Sequence, residues 1–282
     1  MPGPPPRHPQ LVRYVSAGWR GRADPDWTQR LAGLDPIAWV ERCGGEPMNA
    51  RPVIRTYRVV AGDEAVYVKH WAGPSDVSRR GRAWFDVLRW QLQHRARRIA
   101  STTERLRALG FHMPRTLLAA RRRRGWRVEQ LLVTAELAGR NCNNILRFAS
   151  PAEARRVIRA AATAVAALHN AGFVHGEPHL ANLVRLADGG IGFLDNDRTR
   201  RRPLLAEVAR RRNVRTMLRN VYRTRGRRAA MRGLVAYASA RGLGRGRRRR
   251  MWRRLAPRLV VEVRLARLRA VRHRPRRGRH RR

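Results

Sequence analysis

Two short segments place acids, amides and histidines at spacings that could do chemistry: His175-Gly-Glu177-Pro-His179-Leu-Ala-Asn182 and Phe193-Leu-Asp195-Asn-Asp197-Arg198. Between them, Leu183-Val-Arg-Leu186, Ala-Asp188-Gly189-Gly and Ile191-Gly-Phe-Leu194 read as a hairpin. A two-residue turn at Asp188-Gly189 pairs Ala187 with Gly190 and, counting outward, Asn182 with Asp195. Those two are then expected opposite each other at the open end of the ribbon, with Cβ atoms ~5 Å apart. An amide oxygen and a carboxylate at that separation can share a hard cation such as Mg²⁺, which takes oxygen ligands beside substrate phosphates. The alternative is an Asn and an Asp that only cap strand ends.

A third chemical signal is solitude. The chain carries 64 Lys+Arg against 19 Asp+Glu, a net charge of +45, yet Lys69 is its only lysine. A codon preference for arginine explains the count and leaves the surviving lysine conspicuous, because a compact ammonium is not replaced by arginine's planar fork. Lys69 lies on a strand, Ala65-Val-Tyr-Val-Lys69-His-Trp71, with Tyr67, Lys69 and Trp71 on one face.

The two loops resemble the catalytic and metal-binding loops of protein-kinase-like phosphotransferases, written H-[RG]-D-x-x-x-x-N and D-F-[GD]. His175, the acid at 177 and Asn182 keep that spacing. Within that superfamily the chain is most similar to the lipopolysaccharide core kinases, which phosphorylate Kdo and heptose. The shared features are the strand-turn-strand from Arg55 to Trp71, the Gly110 to Pro114 segment and Leu-Asp-Asn-Asp-Arg198. The resemblance spans roughly residues 37–270. It implies an α+β fold of the two-lobed protein-kinase type, with a small β-rich N-lobe and a larger helical C-lobe. It also implies ATP and Mg²⁺ as cofactors. Lys69 would hold the α/β-phosphates, Asn182 and Asp195 the metal, and Glu177 would orient the sugar hydroxyl as base. Glu136, in a hinge-like stretch at 136–139, would belong to the nucleotide site.

The sequence departs from that pattern in three places. Glu177 stands where the family has Asp, shifting the carboxylate by ~1.5 Å, and a displacement of that order can cost much of the rate. The turn near Asn49-Ala-Arg-Pro52 has no glycine, so there is no G-x-G-x-x-G. The helix glutamate that pairs with the family's lysine falls near Ile99, and Glu104 faces elsewhere.

The elements that must carry these loops can be sketched. Residues 1–36, rich in Pro, Gly and Arg, read as a loosely held arm; 37–138 as the N-lobe; 139–270 as the helical C-lobe; 271–282 as a basic tail. Strands are expected at 53–60, 65–71 and 131–134, and a helix over 77–109. Ser150-Pro151-Ala-Glu153 carries the start signals of a helix whose apolar face is Val157, Ala161, Val165 and Leu168 and which ends at Gly172. Residues 203 to about 270 read as helical, with Leu255, Leu259, Val263 and Leu268 as an apolar seam among arginines. His112 and His169 read as structural and His179 as packing the loop; Asp197 and Arg198 support the metal loop.

At 43% hydrophobic residues the chain can bury a core, which excludes a disordered polycation. Cys43 and Cys142 form no zinc pattern or disulfide framework, as expected in a reducing compartment. The N-terminus has no apolar core of a signal peptide and no stretch is long enough to span a bilayer. A monomer at the inner face of the cytoplasmic membrane is expected. It would act on an anionic lipopolysaccharide precursor, with its basic C-terminal third on an anionic membrane surface. Two other readings are a vestigial kinase fold binding nucleic acid or another polyanion, the less favoured partner, and an aminoglycoside-type phosphotransferase or protein kinase.

Overall fold

The computed structural model describes residues 10–51, 54–72, 94–125, 127–201 and 206–272. These divide into two compact units, one of residues 1–138 with 192–198 and the other of residues 139–191 with 199–282.

The first unit is built on a seven-stranded antiparallel sheet: β1 (Val12–Ser16), β2 (Trp19–Ala23), β3 (Glu46–Arg51), β4 (Ile54–Ala61), β5 (Glu64–Trp71), β6 (Thr116–Arg124) and β7 (Arg127–Ala135). Their order across the sheet is β1-β2-β6-β7-β5-β4-β3. Alternation along β5 sorts the core. Val66 and Val68 face a cluster with Trp19, Trp27 and Trp39, whereas Trp71 packs against Ala96, Ile99 and Ala100 on the other face. Those last three belong to α3 (Arg95–Ala108), which covers the face that carries Lys69. Of the helix expected over 77–109, residues 77–93 lie outside the described residues.

The described part of the N-terminal arm is ordered structure. From Val12 onward it is woven into the sheet as β1 and β2, followed by α1 (Pro25–Arg30) and α2 (Pro36–Arg42). Tyr14, Trp19 and Trp27 are buried, and three buried aromatic rings outweigh the helix- and strand-breaking composition around them. Buried Arg122 fixes α2 to the sheet by pairing with Asp35 and Glu129 while its guanidinium lies 4.5 Å over the Trp19 ring.

The second unit is helical. It holds α4 (Cys142–Phe148), α5 (Pro151–Asn170), α6 (Ala206–Ala240) and α7 (Arg245–Arg272). Ser150 Oγ accepts from the Glu153 amide at 3.2 Å, and Pro151 opens α5 without an N–H to waste. Short pairs tie its loops down: β8 (Arg140–Asn141) with β10 (Leu183–Arg185), and β9 (Phe173–Val174) with β12 (Arg200–Arg201). Between them β11 (Ile191–Phe193) leads back to the first unit. The helix α6 breaks its regularity at Gly226, with φ +79°. There Arg225 reaches back to cap the end of α4, donating to the carbonyl of Leu146 (2.5 Å) and to that of Ala149 (2.6 Å), the residue after the helix. The expected β-rich N-terminal and helical C-terminal composition of an α+β fold is present. The basic tail, 271–282, lies outside the described residues beyond Arg272.

Two expectations are corrected here. The turn after β10 holds three residues: the Leu186 amide donates to the Gly190 carbonyl at 3.0 Å, and Gly189 takes φ +86°. The pairing thus slips by one residue, and Asn182 closes a 3₁₀ turn (Leu180–Asn182) ahead of the strand. The hairpin argument that set Asn182 directly opposite Asp195 therefore loses its premise. In α7, Leu255, Leu259 and Val263 are buried as a seam, but Leu268 is exposed. Among the described residues no helix is long and apolar enough to cross a membrane.

Candidate active site

In the first unit, β5 sits between β4 and β7, with Lys69 opposite Thr56 and Leu132. A central strand gives the lysine a rigid base. Its ammonium lies 3.0 Å from Asp195 Oδ1 and 2.6 Å from Asp197 Oδ2, and 5.7 Å from the Trp71 ring centroid. Burial alone would lower the Lys69 pKa; the facing Asp197 and Asp195 carboxylates reverse this and raise it, so the side chain is a cation at neutral pH. The lone lysine is thus joined to a loop more than a hundred residues away.

That loop is held in an unusual way. Phe193 donates its amide to the His112 carbonyl at 3.0 Å, and the buried Asn196 side chain packs against Met113. Asp195 takes φ +52°, one of two non-glycine residues with positive φ among those described. The left-handed region costs an ordinary residue about 1–2 kcal/mol, least for Asp and Asn. Backbone outliers of this kind cluster at functional loops, which makes the Asp195 loop a candidate.

The helix opposite Lys69 contributes no glutamate. Ile99 is buried in the Trp71 cluster, and Glu104 accepts from the Thr116 amide (3.3 Å) and pairs with Arg107. Instead α3 brings Arg98, whose guanidinium donates to the Asp197 carbonyl at 3.4 Å. Asp197 occupies the role of lysine partner, which the sequence alone assigned only as loop support.

Glu136 is bonded within the first unit. Its carboxylate accepts from Tyr67 Oη at 3.0 Å and pairs with Arg58, and its amide donates to the Ala65 carbonyl at 2.8 Å. The Arg58 hydrogen bonds, against a burial cost, hold its carboxyl below the usual range. The side chain and the N–H are both committed to residues of β4 and β5.

In the second unit, Glu177 and Asn182 are brought together. The Glu177 carbonyl accepts from Asn182 Nδ2 at 2.9 Å and from the His179 amide at 2.7 Å. With Nδ2 committed, Oδ1 is the atom of Asn182 left to serve a cation. Asn141 donates to the Ala181 carbonyl at 2.7 Å and steadies the 3₁₀ turn. His179 reaches Asn220 on α6 at 3.4 Å.

Beneath this loop runs a buried relay that no sequence signal announced. Asn213 Nδ2 donates to the His175 carbonyl at 2.6 Å, so its Oδ1 must accept from His169 Nε2 at 3.1 Å. His169 therefore carries its proton on Nε2, and Nδ1 accepts from Tyr237 Oη at 2.8 Å. The His175 ring then takes the Glu177 amide on Nδ1 at 3.1 Å. One chain of hydrogen bonds thus links the core of α5 and α6 to the backbone of Glu177. Burial pushes the His169 pKa down to about 4 and the Tyr237 pKa up to about 12, which keeps both neutral.

The donor chemistry suits a nucleotide's phosphates and magnesium. Among the described residues no group of three or more His, Cys, Asp or Glu could hold a metal by itself. Mg²⁺ commonly binds through one or two carboxylates and takes its remaining oxygens from phosphate and water; Asp195 in the first unit and Asn182 Oδ1 in the second are each oxygen ligands of that kind, and Lys69 is a fitting phosphate cation.

The model of the lipopolysaccharide kinase (Kdo/WaaP) family matches residues 65–237, more than half of the chain. The chain belongs to this family. No curated protein sequence matches it. Among solved structures, the lipopolysaccharide kinase chain is similar to WaaP, determined in complex with acyl carrier protein. The identity is 18% and the TM-score 0.59, over 91% of this chain and 97% of that one. This likeness shows the fold. A weaker similarity, at TM-score 0.45 and 15% identity, is to the bifunctional kinase-methyltransferase WbdD, over 74% of this chain and 47% of that one.

Proposed function

We propose that the chain is an ATP-dependent kinase that transfers the γ-phosphate to a hydroxyl of a lipopolysaccharide core sugar, Kdo or heptose, at the inner face of the cytoplasmic membrane. The observation that carries this reading is the seating of the only lysine against Asp195 in a chain of this family. Lys69 binds the α/β-phosphates as a fixed cation. Asp195 and Asn182 Oδ1 are the metal-holding groups. Mg²⁺, when bound, would neutralise charge on the transferred phosphoryl group. Glu177 accepts the proton of the sugar hydroxyl, its backbone held by His175 and Asn182.

The test is phosphate transfer from labelled ATP to Kdo- and heptose-containing core acceptors, with Mg²⁺ present or chelated. Wild type should label the acceptor only with Mg²⁺, and Lys69→Ala should lose most turnover while keeping its fold. Nucleotide binding without transfer to any core-sugar acceptor would defeat the enzyme reading. Unchanged kinetics in Lys69→Ala would defeat the site.

A further inference from the structure

Among the described side chains of α7, one apolar row is buried and a second is exposed. Among the described side chains beyond Pro257, Leu259 and Val263 are buried as a seam, at 0% and 2% exposure. Val261, Leu265 and Leu268 are exposed at 55%, 47% and 60%. At about 100° per residue those three fall within an arc of about 60°, on the side opposite Leu259 and Val263. Three large apolar side chains in one exposed row differ from singly scattered surface residues, which need no explanation.

The charges around the row say what it meets. Between 245 and 272 the sequence has twelve arginines and one acid, Glu262. That acid is turned toward α6, where it pairs with Arg215 at 3.3 Å and Arg219 at 3.5 Å. The outer side is thus without a counter-charge of its own. Arg258 and Arg264 flank the apolar row and are exposed, and Arg247, Arg250 and Arg254 continue the same side toward the helix start, also exposed. Apolar side chains bordered by long cationic ones whose stems can lie along a hydrocarbon boundary are the pattern of a helix lying in a membrane interface. A polyanion without an apolar phase would leave Val261, Leu265 and Leu268 in water.

We infer that the outer face of α7 docks on an anionic lipid bilayer surface, with Val261, Leu265 and Leu268 entering the headgroup boundary and Arg250, Arg254, Arg258 and Arg264 meeting lipid phosphates. This deepens the proposed function by naming the surface that would bring the kinase to a membrane-held acceptor. It is read by lipid binding without nucleotide, so it stands or falls apart from turnover.

The experiment is sedimentation of the full chain with vesicles of phosphatidylcholine alone and of phosphatidylcholine mixed with phosphatidylglycerol, at low and high salt. Binding is expected on the anionic vesicles and is expected to weaken as salt rises. The Leu265→Ser/Leu268→Ser variant should bind about 10- to 100-fold more weakly. Arg250→Gln/Arg254→Gln/Arg258→Gln should lose about 100-fold. Both variants change exposed residues, so their thermal melts should match wild type; the lipid and salt comparisons on wild type need no variant. Equal binding to both vesicle types overturns the inference, as does binding of the leucine variant at wild-type strength. Loss in the arginine variant alone also overturns it, since that is the signature of docking to an acidic protein or nucleic acid by charge.

Discussion

Neutral His169 can be tested through the pH dependence of stability. The ring is fully buried, donates to Asn213 and accepts from Tyr237, with Arg210, Arg241 and His175 as the nearby groups that further disfavour its cation. Its pKa of about 4 lies below the ~6.5 of an unfolded histidine. The unfolded chain therefore takes up the proton first. The stability owed to the neutral ring is fully present above pH ~6.5 and is lost as pH falls toward 4. A gap of roughly 2.5 units is worth about 3 kcal/mol. The perturbation is His169→Gln, whose amide can donate to Asn213 and accept from Tyr237 but does not titrate. Urea unfolding is measured for both proteins near pH 7 and near pH 4.5. At the higher pH the two should lie within about 1 kcal/mol, the scale of one hydrogen bond. On acidification the wild type should lose about 2–3 kcal/mol more than the variant, and other acid-sensitive groups such as His70 cancel in the comparison. Equal losses in the two proteins would refute the relay as drawn.

The two carboxylates on Lys69 should separate under substitution. Asp195→Asn, which tolerates the left-handed backbone, should raise the Mg²⁺ concentration needed for nucleotide binding, and an unchanged titration would show that Asp195 is no metal ligand. Asp197→Asn should leave that titration nearly in place but cost roughly tenfold or more in kcat/KM for ATP by loosening Lys69; the reverse pattern would exchange their roles. Glu177→Ala should lose about 10²–10⁴-fold in kcat, and Glu177→Asp should keep or improve activity. Full activity in Glu177→Ala would remove it as the base.

The site's residues were more legible than their arrangement. The spacing of His175, Glu177 and Asn182 and the isolation of Lys69 are properties of the string itself, and the capped start of α5 is a local signal that tertiary packing had no reason to override. Register was not legible. Whether Asp188-Gly189 forms a two- or three-residue turn depends on where Gly189 finds room for its positive φ, and one residue's slip removes the facing of Asn182 and Asp195. The arm misled because β1 buries only Tyr14 and Ser16 among exposed neighbours, a pattern too sparse to outweigh its composition. The Tyr237–His169–Asn213–His175 relay joins residues far apart in the chain through polar groups with no spacing rule, so only coordinates could show it.

Among the described residues, Lys69 has its carboxylate partners on the 195–197 loop and none on α3. A lysine aimed at phosphates needs an anion to keep it extended, or its four-carbon stem samples many rotamers. A glutamate on α3 would supply that anion from a packed helix. Here α3 presents Ile99 to the Trp71 cluster and Arg98 to the Asp197 carbonyl, so the anion comes from the loop and the helix contributes a second cation. Lys69 is thereby coupled to the conformation of residues 195–198, and the same loop sets the strained backbone of Asp195. The proposed phosphate cation and the proposed metal carboxylate are then positioned by one segment, which the helix braces through a backbone contact rather than through an ion pair of its own.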